Sequence, residues 1–157
     1  DLITVLNRQG LKKLLVFNSH GGNDFKTHLR ELGLLFPEML LVTCSWFHML
    51  DKRLYFEKAG DHADEMETSI MMQLNPELVL PLDLAGSGAE KKHKVKAIRE
   101  KWAWAERKWS EVSEDTGIGD PSLSSAEKGA RYIEDVTDKI AELIVDLCAV
   151  DKDNSYE

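Results

Sequence analysis

The chain has 157 residues, long enough for one compact domain with a real core and short for two, so a single domain over 1–157 is the expectation. Its 20 basic and 28 acidic residues give a net charge of -8, which disfavours nucleic acid and anionic lipid as partners. No apolar run approaches the length of a membrane span, and the two cysteines, Cys44 and Cys148, are expected as buried free thiols in apolar surroundings.

The first residues read as the middle of something: there is no initiator Met, and Leu2, Ile3, Val5 and Leu6 form the apolar side of a helix ending at Gly10, a natural left-handed stop. An upstream segment is therefore expected, and any signal peptide would lie on it. Residues 14–17 are a short continuous apolar run, the pattern of a strand buried on both faces of a parallel sheet. Residues 18–24 break it with two glycines. From Phe25 the spacing turns helical, with Phe25, Leu29, Leu32 and Phe36 on one stripe, Asn23 or Asp24 as N-cap and Pro37 as the stop. A second buried strand is predicted over 39–43. Helix, strand, turn, helix, strand is the alternation of an α/β fold with a mostly parallel sheet and right-handed crossovers.

The pattern is irregular from Trp46 to Gly60. Met66, Ile70, Met71 and Leu74 mark a short helix stopped by Asn75-Pro76. Residues 83–96 read as an exposed connection. Over 101–112, Trp102 and Trp104 alternate with small residues and predict a strand with one aromatic face. A turn-rich loop covers 116–121. Ser124-x-x-Glu127 then reads as a capping box opening the longest helix, with Ile133, Val136, Ile140, Leu143, Ile144 and Leu147 on its apolar stripe.

Two clusters could carry chemistry. Asn18-Ser19-His20-Gly21-Gly22-Asn23-Asp24 falls where a buried strand ends, the place where ligands sit in open α/β sheets. His20 is a candidate metal ligand there, with Asn18, Asn23 or Asp24 orienting it; the plain alternative is a tight turn whose His bonds to backbone. The spacing fits neither nucleotide-phosphate loop. The second cluster, from Gly60 through Asp61, His62, Asp64, Glu65, Glu67 and Thr68 to Ser69, mixes imidazole and carboxylate in a way that suits zinc or hard cations. It also suits an acidic first helical turn with a surface His. His28 and His93 read as solvated. His48 and the tryptophans Trp102, Trp104 and Trp109 read first as packing, with a crevice wall, a lid or a subunit contact as the other readings.

Ser-His-Gly-Gly-Asn at 19–23 resembles the Gly-His-Gly-Gly-Asn motif of the creatininase family, and 61–69 resembles that family's His-Ala-Gly-Glu-x-Glu-Thr-Ser. Gly119-Asp120-Pro121 through Glu127-Lys128-Gly129 looks like its third, Gly-Asp-Pro to Glu-Lys-Gly, segment, in the same order. The resemblance implies a three-layer α/β/α fold and a centre of two divalent metal ions, zinc and/or manganese. It implies hydrolysis of an unusual amide: a cyclic urea such as creatinine, a formamide, or a modified peptide terminus, with the formamide favoured by elimination. By position, His20 matches a metal ligand, His62 the proton-transfer histidine, Glu67 the glutamate of Glu-Thr-Ser, and Glu65 an acidic residue expected to complete the second metal site. A cytoplasmic homohexamer acting on a small-molecule amide is the implied setting.

The departures are specific. Gly22 stands where creatinine hydrolases carry a glutamate ligand, Ala59 and Gly60 do not reproduce their Trp-Asp pair, and Asp64 replaces a glycine. The family's first metal-binding segment, resembling Glu-x-His-Gly-x-His, is not in these residues, so these residues alone are expected to hold metal weakly and to be inactive. The contrasting expectation is a non-catalytic α/β binding or assembly domain that keeps the fold.

Overall fold

The computed structural model describes residues 1–58 and 60–156. Its contacts divide into two compact units, Asp1–Leu50 with Val136–Glu157, and Asp51–Asp135. Among the described residues no helix is long and apolar enough to cross a membrane.

The first unit opens with α1 (Leu2–Arg8), which buries Ile3 and ends before Gly10 at φ +84°. Strand β1 (Lys13–Asn18), helix α2 (Phe25–Leu35) and strand β2 (Leu40–Ser45) follow. The strands pair in parallel, in step from Lys13 opposite Leu40 to Asn18 opposite Ser45, so the predicted β-α-β unit is present with each strand a residue or two longer than its apolar run. Backbone pairing extends past the apolar residues because it needs only N–H and C=O groups. Asp24, not Asn23, caps α2: its carboxylate accepts from the Lys26 N–H at 3.2 Å and from Thr27 Oγ1 at 3.3 Å. The Lys13 ammonium donates to the carbonyls of Cys148 (3.0 Å) and Val150 (2.6 Å), satisfying helix-end acceptors that have no partner within their own helix. Beside it an apolar groove of about 170 Å³ is lined by Leu14, Leu15, Val42, Ile144 and Leu147. Both thiols are free, but the expectation of two buried cysteines fails at Cys148, which is exposed; Cys44 is half-buried, and burial pushes its thiol up.

The second unit contains α3 (Glu65–Leu74) and two single helical turns, α4 (Lys96–Arg99) and α5 (Trp109–Val112). It ends in the first part of α6 (Ala126–Ala149), which passes the boundary at Asp135. Phe56, Met66, Ile118 and Tyr132 are buried here. Tyr132 is fully enclosed, edge-on to Tyr55 with ring centroids 5.1 Å apart and tilted against Phe56 at 5.3 Å.

The strand predicted over 101–112 does not form. Lys101 sits at φ +64°, Trp102 and Trp104 are 72% and 82% exposed, and α5 takes the last four residues. Alternation describes a strand only when a neighbouring strand supplies hydrogen bonds and a core covers one face, and this segment has neither. The cap of α6 also shifts by one residue. Ser125 Oγ, not Ser124, accepts from the N–H three residues on, at Lys128 (3.2 Å), while Ser124 Oγ donates to the Glu65 carbonyl at 3.2 Å. The serine that caps is decided by the second's engagement with α3, which a local motif does not encode.

Candidate active site

In the first unit the carboxyl ends of the two strands are tied together by Asn18. The residue is 5% exposed, its Oδ1 accepts from the His20 N–H and from Asn23 Nδ2, both at 3.1 Å, and its Nδ2 donates to Ser45 Oγ at 3.1 Å. The Asn23 N–H closes the turn on the His20 carbonyl at 3.1 Å. One buried amide thus sets the backbone of the loop, and the His20 imidazole stands exposed on it. A Cβ at Gly22 would lie 2.8 Å from His20 Nε2, so the residue without a side chain leaves the imidazole its room.

In the second unit His62 is held by backbone. Its N–H and that of Asp61 both donate to the Ile118 carbonyl, at 3.1 and 2.7 Å, and the Ile118 N–H donates back to the His62 carbonyl at 2.8 Å. Ala63, at φ +50°, then turns the chain into α3. Asp64, 2% exposed, is the N-cap: its Oδ1 accepts from the Glu67 N–H at 2.9 Å. Glu67 reaches back, its Oε2 accepting from the Ala63 N–H at 2.7 Å and lying 3.6 Å from His62 Nδ1. The acid that replaces the family's glycine at 64 is therefore a helix cap, favoured there by the macrodipole. Both groups of the His62–Glu67 pair remain partly open to solvent.

Glu65 has a different environment. Its side chain is completely buried, with Oε2 accepting from the Glu57 and Lys58 N–H groups at 2.9 and 2.7 Å and Oε1 paired with the Lys128 ammonium. Burial alone would raise its carboxyl; the Lys128 hydrogen bond and the Lys58 and Glu57 amides more than offset this and hold it below the usual range. Both oxygens are thus engaged by protein donors, and the expectation that Glu65 completes a metal site finds no support in its surroundings. Lys128 is drawn further into place by the Leu123 carbonyl at 3.0 Å.

The third motif serves the same assembly. Gly119, at φ +140°, runs against Gly60 and Asp64, where a Cβ would fall 2.7 Å from Asp64 Cβ. Asp120 pairs with the Lys58 ammonium and accepts from the Ser122 N–H at 2.8 Å; the Lys58 bond foremost pulls its carboxyl down to about 2. Gly129 lies where a Cβ would be 2.1 Å from the Ser69 carbonyl oxygen, so α3 and α6 touch backbone to backbone.

Arg107 and Trp109 complete this cluster. The Trp109 ring lies 5.0 Å from the His62 ring at 60°, and Arg107 pairs with Asp61 at 2.5 Å. No periodicity marks them. The other histidines, His28, His48 and His93, are exposed. His28 Nδ1 lies 3.0 Å from the Asp24 carbonyl, and His93 Nδ1 accepts from the Val95 N–H at 3.0 Å. A surface depression of about 520 Å³ is lined by residues 52–58 with Asp64 and Met66, and it does not include His62. The acid–base pair of His62 and Glu67 lies outside that depression. Among the described residues, no three His, Cys, Asp or Glu side chains group as a metal cage. His20, in the first unit, presents an exposed imidazole, and in the second both Glu65 oxygens are taken by protein donors.

The fold is that of an α/β protein built on a parallel strand pair, with a histidine–carboxylate pair at a helix start. The creatininase (creatinine amidohydrolase) family model matches residues 1–144, and the chain belongs to that family. It is similar to the crystal structure of a Bacteroides fragilis NCTC 9343 protein provisionally assigned as a creatinine amidohydrolase. That match has a TM-score of 0.88 and 39% identity over 100% of this chain and 61% of the other. A creatininase carrying a Trp-to-Phe substitution matches with a TM-score of 0.57 and 24% identity over 92% of this chain and 59% of the other, a likeness of fold alone. The chain thus spans about three fifths of the length of these solved relatives. Among curated proteins, none matches.

Proposed function

We propose that the whole protein is an amidohydrolase that cleaves a C–N bond in a small amide or formamide, with His62 moving the proton. The observation that carries this reading is the His62–Glu67 pair, 3.6 Å apart at the start of α3, in a chain of the creatininase family. With Nδ1 turned to Glu67, Nε2 is the nitrogen available to reactants. It takes a proton from the attacking water and returns it to the leaving nitrogen, so that one group serves as base and then as acid. Glu67 holds the ring's orientation and stabilises the imidazolium formed between the two transfers.

Creatininase-family enzymes are in general metal-dependent, and in this reading His20 contacts the metal, with zinc or manganese suited to imidazole and carboxylate donors. The described residues do not supply the remaining donors, and no step of the proton transfer is derived through a metal. Glu65 we read as a structural anchor. The same reading has the enzyme act as a cytoplasmic homo-oligomer on a small-molecule amide.

The test is His62→Ala, assayed for ring opening of creatinine to creatine and for formate release from a set of formamides, with metal content measured in parallel. Loss of turnover with metal content unchanged is expected. Wild-type turnover in His62→Ala would remove His62 from the mechanism, and undiminished metal in His20→Ala would remove its ligand role.

A further inference from the structure

We infer that Arg107 and Trp109 are positioning residues for the His62 imidazole, an inference that rests on the reading of His62 as the proton-transfer group. A histidine side chain has two torsions, and proton transfer needs both fixed to within a fraction of an ångström at the reacting nitrogen. The backbone bridge to Ile118 fixes the Cα of His62, and Glu67 addresses the Nδ1 edge of its ring. Neither stops the ring from rotating away into solvent, since the His62 side chain is 45% exposed.

Trp109 supplies that restraint. Its ring centroid lies 5.0 Å from that of His62 at an interplanar angle of 60°, within contact for tilted aromatic rings. Trp109 sits on the single turn α5, too short to be rigid by itself. Its placement comes from Arg107. The guanidinium carbon of Arg107 is 4.8 Å from the Trp109 ring centroid, and Nη2 is 2.5 Å from the carboxylate of Asp61, the residue before His62. The cation therefore joins the indole to the backbone segment that carries the imidazole, and its charge is compensated by Asp61. Indole, guanidinium, carboxylate and imidazole form a closed loop of contacts: Trp109 to Arg107, Arg107 to Asp61, Asp61 by one peptide bond to His62, and His62 to Trp109. Removing either Arg107 or Trp109 opens it.

The test uses the full chain and compares Trp109→Ala, Trp109→Phe and Arg107→Gln with wild type. Carbethoxylation of each histidine by diethylpyrocarbonate is followed by peptide mass spectrometry, and the His62 ring signals are followed by NMR of imidazole-labelled protein. In Trp109→Ala the His62 reaction is expected to accelerate several-fold and its ring-current shift to vanish, with the exposed His28 and His93 unchanged as internal references. Trp109→Phe should restore most of both signals, and Arg107→Gln should fall between. If Trp109→Ala unfolds, collapse of the amide NMR dispersion shows it, and the Arg107→Gln and Trp109→Phe results then decide. His62 rates and shifts identical to wild type in folded Trp109→Ala, or in folded Arg107→Gln where the alanine variant unfolds, would overturn the inference. On formamides and creatinine, the same variants should lose kcat by roughly ten- to a hundredfold with KM little changed. A wild-type protein inert on every amide would count against the proposed function, while the His62 measurements would still decide the inference on its own terms.

Discussion

Lys128 donates its ammonium to the buried carboxylate of Glu65, a residue 63 positions earlier in the chain. Glu65 opens α3 and Lys128 lies in the first turn of α6, so this pair fixes the helix start from which Glu67 faces His62. Two backbone amides complete the carboxylate's partners, and the charge is held in the interior because both of its oxygens face donors.

Lys128→Met should lower unfolding free energy by about 3 kcal/mol, because it leaves Glu65 buried and uncompensated. Urea titration followed by tryptophan fluorescence measures this. Glu65→Gln should be destabilised less, and its metal content should equal that of wild type; a large drop in bound metal would return Glu65 to the role of ligand.

Acid should unfold the protein partly through Asp120 and Glu65. Both are held below their ordinary values when folded, so each contributes stability that is full above the usual carboxylate range and is lost as pH falls through the folded value. For Asp120 the window runs from its ordinary 3.8 down to about 2. Asp120→Asn should therefore melt below wild type at neutral pH, and the difference should close toward pH of about 2. The effect is modest, since the pair with Lys58 is partly open to water. A difference that stays constant across the acid range would show that Asp120 acts through packing instead.

Gly129→Ala should cost about 1–3 kcal/mol or more despite alanine's better helix propensity, because the added methyl group meets the Ser69 carbonyl oxygen at 2.1 Å. A Gly129→Ala protein that melts at or above wild type would mean that α3 and α6 can separate at no cost.

Asn18→Ala should leave the His20 N–H, Asn23 Nδ2 and Ser45 Oγ without their partner, costing about 1–3 kcal/mol. Hydrogen exchange at the His20 and Asn23 amides should speed up more than exchange within β1. Equal protection in the variant would show that the loop is held by something other than the Asn18 amide.

Elements whose cause is local are legible in the amino-acid order alone. The apolar run at 14–17, the stripe from Phe25 and the long period ending at Leu147 each fix a strand or helix through neighbours within a few residues. It also carried the family, through ordered short motifs whose spacing survives without knowledge of packing. What the tertiary structure decided is which residues meet. Glu65 and Glu67 are two positions apart on one acidic turn, yet one is sealed under Lys128 and the other faces His62, because residues two apart on a helix point to different sides. The same applies to Trp102, Trp104 and Trp109. Their alternation suggests a strand, but hydrogen-bond partners and a covering core come only from distant chain, and without them Trp102 and Trp104 stay exposed while Trp109 packs against Arg107 and His62.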